Sequence, residues 1–268
     1  PTNTLIHLES NTITSSIRSA VSMDSGSSLL GGTILHMVNN TMMSTPPYAS
    51  FTGIIDTTGQ LWLESSNRVN SHVFISFTGV MYNSTVYLSG NDITQFYLAA
   101  GSHATDSYIA LTGNVIANKF DIVIGGNITN TPVVLLQNVI ESAIVFSAAA
   151  LDVSSISFID NVLPNSATTT FTYGMWHSDF CFFNNTLSGP LALALHAEGG
   201  SVVSVTNSTF AKPITVSQPY SRSAFQLLGN DIMETITFTG ITWDAAVLVI
   251  RNNQIVSTTA FSALNFVN

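Results

Sequence analysis

Charged side chains are scarce in this chain. Asp, Glu, Lys and Arg together make up 8% of its 268 residues, against about 25% in an ordinary globular protein, and Ser, Thr, Asn and Gly fill the polar positions instead. Basic residues are the rarest. The six present, Arg18, Arg68, Lys119, Lys212, Arg222 and Arg251, lie far apart against 15 acidic residues, for a net charge of −9. This excludes a nucleic-acid partner, because phosphate-backbone binding depends on clustered Lys and Arg.

Long apolar runs are missing too. No stretch of 18 or more apolar residues occurs, so nothing here reads as a transmembrane helix. No basic segment followed by an apolar one opens the chain, as an export signal would. The chain starts at Pro1 without a Met, and is expected to be a segment of a longer protein. A single cysteine, Cys181, excludes an internal disulfide. It is expected to be a small side chain between Phe180 and Phe182, with pairing to another chain as the alternative. Helical periodicity is absent: no repeat offers apolar residues at i, i+3, i+4 and i+7 over enough length, and β-branched residues dominate.

What the chain does have is a repeat. Two apolar residues spaced by one are followed by two residues, then Asn, any residue, and an apolar one: Ile6-His7-Leu8-Glu9-Ser10-Asn11-Thr12-Ile13, Val86-Tyr87-Leu88-Ser89-Gly90-Asn91-Asp92-Ile93, Ile109-Ala110-Leu111-Thr112-Gly113-Asn114-Val115-Ile116, and, in slightly altered form, Val134-Leu135-Leu136-Gln137-Asn138-Val139-Ile140. Further copies end at Asn161, Asn185, Asn230 and Asn253; Asn40 is followed by Thr-Met, Asn67 carries one extra residue before it, and Ser208 replaces Asn. From Asn67 onward the spacings are 24, 23, 24, 23, 24, 23, 22 and 23 residues. A fixed period in this range signals a solenoid or an array.

Alternation of apolar and polar residues marks strands, whose side chains point to opposite faces with period 2. Phe158 and Phe180, or Leu227 and Ile250, face one way. A second alternating run follows in most copies, as in Phe120-Asp121-Ile122-Val123-Ile124 and Leu191-Ala192-Leu193-Ala194-Leu195. Two or three short strands in about 23 residues, at about 3.3 Å per residue, suit one turn of a parallel β-helix. The expected fold is all-β: a right-handed parallel β-helix of about eleven coils, one domain spanning residues 1–268. A β-propeller needs about 40 residues per blade. A leucine-rich repeat has a similar period, but its Leu-x-x-Leu-x-Leu opening is missing.

The recurring Asn is expected at a sharp bend, pointing inward, its amide bonding backbone and the same Asn of the next coil. Asn also tolerates the left-handed backbone that such a bend requires. The expected ladder is Asn11, Asn40, Asn67, Asn91, Asn114, Asn138, Asn161, Asn185, Ser208, Asn230 and Asn253. Irregular insertions mark loops at Ser25 to Gly32, Thr45 to Tyr48, Asn165 to Thr170 and Gln218 to Ser221.

A catalytic pair of carboxylates would need a shared slot in neighbouring coils, roughly 5–10 Å apart. Asp92 and Asp231 share a slot but stand several repeats apart, while Asp121, Asp160, Glu198, Glu234 and Asp244 read as different slots. Adjacent acidic pairs that would hold Ca²⁺ are missing. His7 and His36 share an outward slot, and two His are too few for a typical zinc site; His72, His103, His177 and His196 are scattered. No catalytic residue, metal or cofactor is expected. Five N-x-Ser/Thr sequons, at Asn39, Asn83, Asn127, Asn184 and Asn207, are candidate glycosylation sites. Asn39, Asn184 and Asn207 immediately precede the ladder slot, which places them at exposed bends.

The recurring Asn-Asn-Thr, the stretch Ser204-Val205-Thr206-Asn207-Ser208-Thr209-Phe210 and the closing Asn253-Gln254-Ile255-Val256-Ser257-Thr258-Thr259-Ala260-Phe261-Ser262-Ala263-Leu264-Asn265-Phe266 resemble the dispersed gene family surface proteins of trypanosomatids. Those are very large, repetitive surface glycoproteins with pectin-lyase-like β-helices. The resemblance implies an extracellular or cell-surface protein with an adhesive or architectural role, with glycans or matrix components as ligands; it carries over no catalytic residue. The expectation is a non-catalytic structural or adhesive module whose partners are other chains or further coils. A polysaccharide lyase or hydrolase is the first alternative. An ice-binding solenoid is the second, suggested by Thr235, Thr237 and Thr239, although only Thr215 and Thr237 share a slot.

Overall fold

The computed structural model describes the backbone of residues 5–9, 11–15, 21–30, 34–38, 41–44, 48–56, 60–64, 68–77, 81–100, 103–239, 242–262 and 265–267, and the side chains of 5–9, 11, 81–93, 95–98, 103–239 and 242–259. Asn39, Asn40 and Asn67 lie outside them. Each regular element described is a β-strand, and each pairing is parallel, between strands one repeat apart, as with Thr85–Ser89 beside Tyr108–Thr112. The molecule is a parallel β-solenoid with a period of about 23 residues, and about seven turns lie between Met81 and Ile255.

One coil shows how the sequence makes the turn. Pro132–Leu136, Val139–Ile140 and Ile144–Asp152 run in succession before Ser155–Ile159 starts the next coil. Alternate side chains of the first strand, Val133 and Leu135, are buried and align with Ile156 and Phe158 of the next coil. This copy is therefore regular, with Val133 and not Val134 in the first inward slot. The interior is a continuous apolar column in which Phe146, Phe158, Phe171, Phe180, Phe182 and Phe210 are essentially fully buried. Each contributes about 1.5–3 kcal/mol by leaving water.

The bends are made by single residues. Gly90, Gly113, Gln137, Asp160, Asn184, Asn207, Gly229 and Asn252, each immediately before a ladder position, have φ between 45° and 64°. The left-handed residue is thus not the ladder Asn, as the sequence suggested, but its neighbour. One positive-φ residue reverses the direction of the chain, and the next side chain then projects into the coil, where its amide can reach backbone above and below. At Gly229 a Cβ would displace the exposed Asn207 amide, whose Oδ1 would lie 2.5 Å away.

The described ladder repeats one pattern. Oδ1 of Asn161 accepts from the backbone N–H of Asn138 at 2.9 Å and from its Nδ2 at 3.0 Å, while Nδ2 of Asn161 donates to the carbonyl of Leu135 at 2.9 Å and to Oδ1 of Asn185 at 3.0 Å. Asn91, Asn114, Asn138, Asn185 and Asn230 are buried and bonded in the same way, with variations at Asn185. Ser208 keeps half of the pattern: its Oγ accepts from the N–H of Asn185 at 3.0 Å and donates to the carbonyl of Thr206 at 2.9 Å. Asn11, at the other end, is exposed and donates to the carbonyl of Glu9.

A second internal ladder escaped the sequence reading. Ser84, Ser107, Thr131, Ser154, Ser178, Ser201 and Ser223 are buried at the opposite bend, 22 to 24 residues apart. Each backbone N–H from Ser84 to Ser178 donates to the next hydroxyl at 3.0–3.1 Å. Most of these hydroxyls donate to the carbonyl two residues earlier, as Ser178 does to Trp176 at 2.8 Å, and Ser201 donates to that of Glu198, three residues earlier. The spacing was available as a signal, but Ser and Thr fill so many other positions that it was hidden.

Strands extend into the expected loops, while residues 165–168 and 218–219 are irregular as expected. Val21–Leu30 takes in most of the Ser25 to Gly32 insertion, and a register shift between Met23 and Ser27 absorbs the extra residues. Thr169–Trp176 begins inside the Asn165 to Thr170 insertion, and Tyr220, expected in a turn, is fully buried. Bulges absorb an inserted residue while keeping alternation intact on either side.

Candidate functional site

Outward side chains of a parallel solenoid form columns along the axis, one residue per coil, with strands about 4.8 Å apart. The column closing the long strand is chemically the richest. It pairs Thr129 with Asp152, Asp152 with Trp176, and Trp176 with Glu198. The register of Ala197 on Tyr220 continues it to Ser221, which pairs with Asp244. Glu198 and Asp244 therefore share one slot with Asp152, in alternate coils, which corrects their reading as different slots. The bulge between Ser147 and Ala150 hid Asp152, because counting along the sequence places it out of phase.

Trp176 stands in the middle of this column with its indole 48% exposed. Its ring meets His177 edge-on with centroids 5.4 Å apart. Gly199 lies against both, and a Cβ there would come within 3.3 Å of each. Two residues back on the same strand is Gly174, aligned between Ala150 and His196, so the surface beside the indole is low. Nε2 of His196 lies 2.8 Å from Oε1 of Glu198 and holds that carboxylate in place.

At the adjoining bend Val153 is 58% exposed and holds a φ of 49°. Its column elsewhere uses Asn83, Asp106, Asn130, His177, Gly200, Arg222 and Ala245, none of them β-branched, and a β-branched residue takes the left-handed region least easily. Replacing Val153→Asn is expected to stabilise the fold by about 1 kcal/mol. A thermal melt checks it; an unchanged or lower midpoint removes strain as the description of this bend.

The other candidate residues are dispersed. Asn83, Asn184 and Asn207 are exposed left-handed bend residues, and Asn127 is exposed on a strand. Nδ2 of Asn184 donates to Oδ1 of Asp160 at 2.7 Å. Asp92 and Asp231 share a slot several coils apart, Asp121 pairs with Lys119 at 2.8 Å, and Glu234 with Lys212 at 2.7 Å. His7 aligns with His36 and lies 3.3 Å from Glu9. His103 accepts from the N–H of Asn127. Among the described residues no group of three or more His, Cys, Asp or Glu converges as a metal site would require.

Cys181 is half-buried on an outward column between Ser157 and Ser204, and burial first, then Asp179, pushes its thiol pKa up. Tyr173 and Tyr220 are buried, and among the described residues neither hydroxyl has a hydrogen-bond partner. Burial pushes both phenols well above the usual tyrosine range, with the proximity of Tyr220 adding to Tyr173. In the unfolded chain both ionise near pH 10, while the folded chain keeps its protons. The unfolded state then binds fewer protons, so stability is expected to fall as pH rises above about 10, by up to about 1.4 kcal/mol per pH unit for each tyrosine. Urea titrations from pH 8 to 11.5 on the native chain and on Tyr173→Phe/Tyr220→Phe test this; equal slopes for the two proteins reject it.

No known protein family matches the chain, and no curated protein or solved structure matches it.

Proposed function

We propose that this chain is a non-catalytic, extracellular structural or adhesive module, a right-handed pectin-lyase-like β-helix of eleven coils in a cell-surface or filament glycoprotein. The observation that supports this reading most is the pair of internal ladders, running coil after coil at opposite bends. They satisfy buried polar groups in each coil and tie successive coils along the axis, which suits a stiff rod. The exposed asparagines of four sequons can take glycans without displacing any core side chain. Other chains of the same kind, or glycans and matrix components, are the partners.

The test is expression in a secreting eukaryotic host followed by glycopeptide mapping and electron microscopy. Occupied Asn83, Asn184 and Asn207 on rigid rods are expected. A chain retained inside the cell and unglycosylated at all of these positions rejects the reading.

A second reading, ice binding, gains from one observation. Thr170, Ala192, Thr215 and Thr237 form one outward column, and Thr172, Ala194, Ser217 and Thr239 form the column beside it. Eight small side chains on one sheet make a flat face, longer than the single Thr215–Thr237 match read from sequence. Thermal hysteresis of the purified chain, abolished by Thr215→Tyr, would establish it.

A further inference from the structure

The Trp176 corner has no structural task that accounts for its composition. An indole left 48% exposed, with a valine 58% exposed beside it, forgoes the burial that the interior gives Trp243 and Tyr220. From this corner we infer that the module binds a neutral saccharide, with one sugar ring lying on the Trp176 indole and its hydroxyls held by Asp152 and Glu198. The inference rests on the adhesive reading and gives it a ligand.

The chemistry fits in three respects. A pyranose ring presents a flat apolar face of C–H groups, which an exposed indole covers, and Trp offers the largest such surface of any side chain. The hydroxyls around that ring need acceptors at its edge. Asp152 and Glu198 flank Trp176 one coil away on either side, so their strands are about 10 Å apart, a separation that one sugar ring bridges. The His196 contact fixes the Glu198 carboxylate at 2.8 Å, so less freedom is lost when a hydroxyl binds it.

Space and charge narrow the ligand further. Gly174 has no side chain to rise beside the indole, where a neighbouring sugar of the same chain would lie. Gly199 packs behind Trp176 and His177, where a Cβ would lie 3.3 Å from each ring and press both by a few tenths of an ångström. Both flanking groups are carboxylates on a chain of net charge −9, which repels uronates and sulfated sugars. The ligand is therefore an uncharged oligosaccharide of hexoses or N-acetylhexosamines.

The experiment is an array of neutral, uronate and sulfated oligosaccharides probed with the whole chain, followed by titration of the best binder. Trp176→Ala, Trp176→Phe and Glu198→Gln are compared with Tyr82→Ala, an exposed aromatic of the same column several coils away. Neutral oligosaccharides are expected to bind, with at least a tenfold loss for Trp176→Ala, a smaller loss for Trp176→Phe, and no change for Tyr82→Ala. Circular dichroism melts superimposing on the native chain show that Trp176→Ala folds. The inference is overturned by binding of charged sugars in preference, by unchanged affinity in Trp176→Ala, or by no neutral sugar binding at all. In the last case glycan mapping and rod morphology still decide the adhesive reading separately. Release of reducing ends from a bound oligosaccharide would instead overturn the non-catalytic reading while leaving the site in place.

Discussion

Asn161→Ala is expected to lose about 4 kcal/mol of stability while leaving the apolar core intact. The amide serves four groups: the N–H and Nδ2 of Asn138, the carbonyl of Leu135 and Oδ1 of Asn185. All lie inside the coil, where Asn161 has no exposed surface. A methyl group satisfies none of them, and each buried polar group left without a partner costs about 1–3 kcal/mol, reduced where neighbours relax. Ser178→Ala supplies the comparison. Its hydroxyl serves only the N–H of Ser154 and the carbonyl of Trp176, so about half the loss is expected. Because each coil of a solenoid rests on its two neighbours, the damage is local before it is global. Hydrogen exchange should therefore rise first in the amides of residues 136–163. A urea midpoint within 1 kcal/mol of the native chain would show that the ladder is ornamental to stability.

Phe158→Ala is expected to cost about 3–5 kcal/mol. Phe158 is fully buried, with its ring centroid 5.0 Å from that of Phe171, 5.8 Å from Phe182 and 6.3 Å from Phe180. These rings come from two successive coils, so the void would sit where the stack of coils is held together and could close only by bending strands that are hydrogen-bonded on both sides. Phe158→Leu keeps most of the volume and should cost less than about 1.5 kcal/mol. Equal destabilisation by the two substitutions, measured by urea unfolding, would mean that ring geometry and not volume governs this core.

The repeat was legible because it is written twice over, in the period of about 23 residues and in the alternation of inward apolar residues such as Val203 and Val205 with outward ones. Both follow from local rules: a strand with one face in the core alternates, and an internal bend that needs an amide takes Asn. The column of Asp152, Trp176 and Glu198 obeys no local rule. Whether two residues become neighbours there depends on how many residues each coil spends between bends, and the bulge after Ser147 changes that count. The second ladder was hidden for a different reason, since Ser and Thr are common enough elsewhere to mask a period of their own.

By itself, then, the sequence determined the all-β class, the length of a coil, the inward face of most regular strands and the position of the asparagine ladder, because these depend on hydrogen bonding and burial within one repeat. Only the tertiary structure decided which residue takes the left-handed bend, where the hydroxyl ladder runs, and which side chains share an outward column. Those are set by register between coils, and register is a sum over the whole repeat that a single bulge can shift.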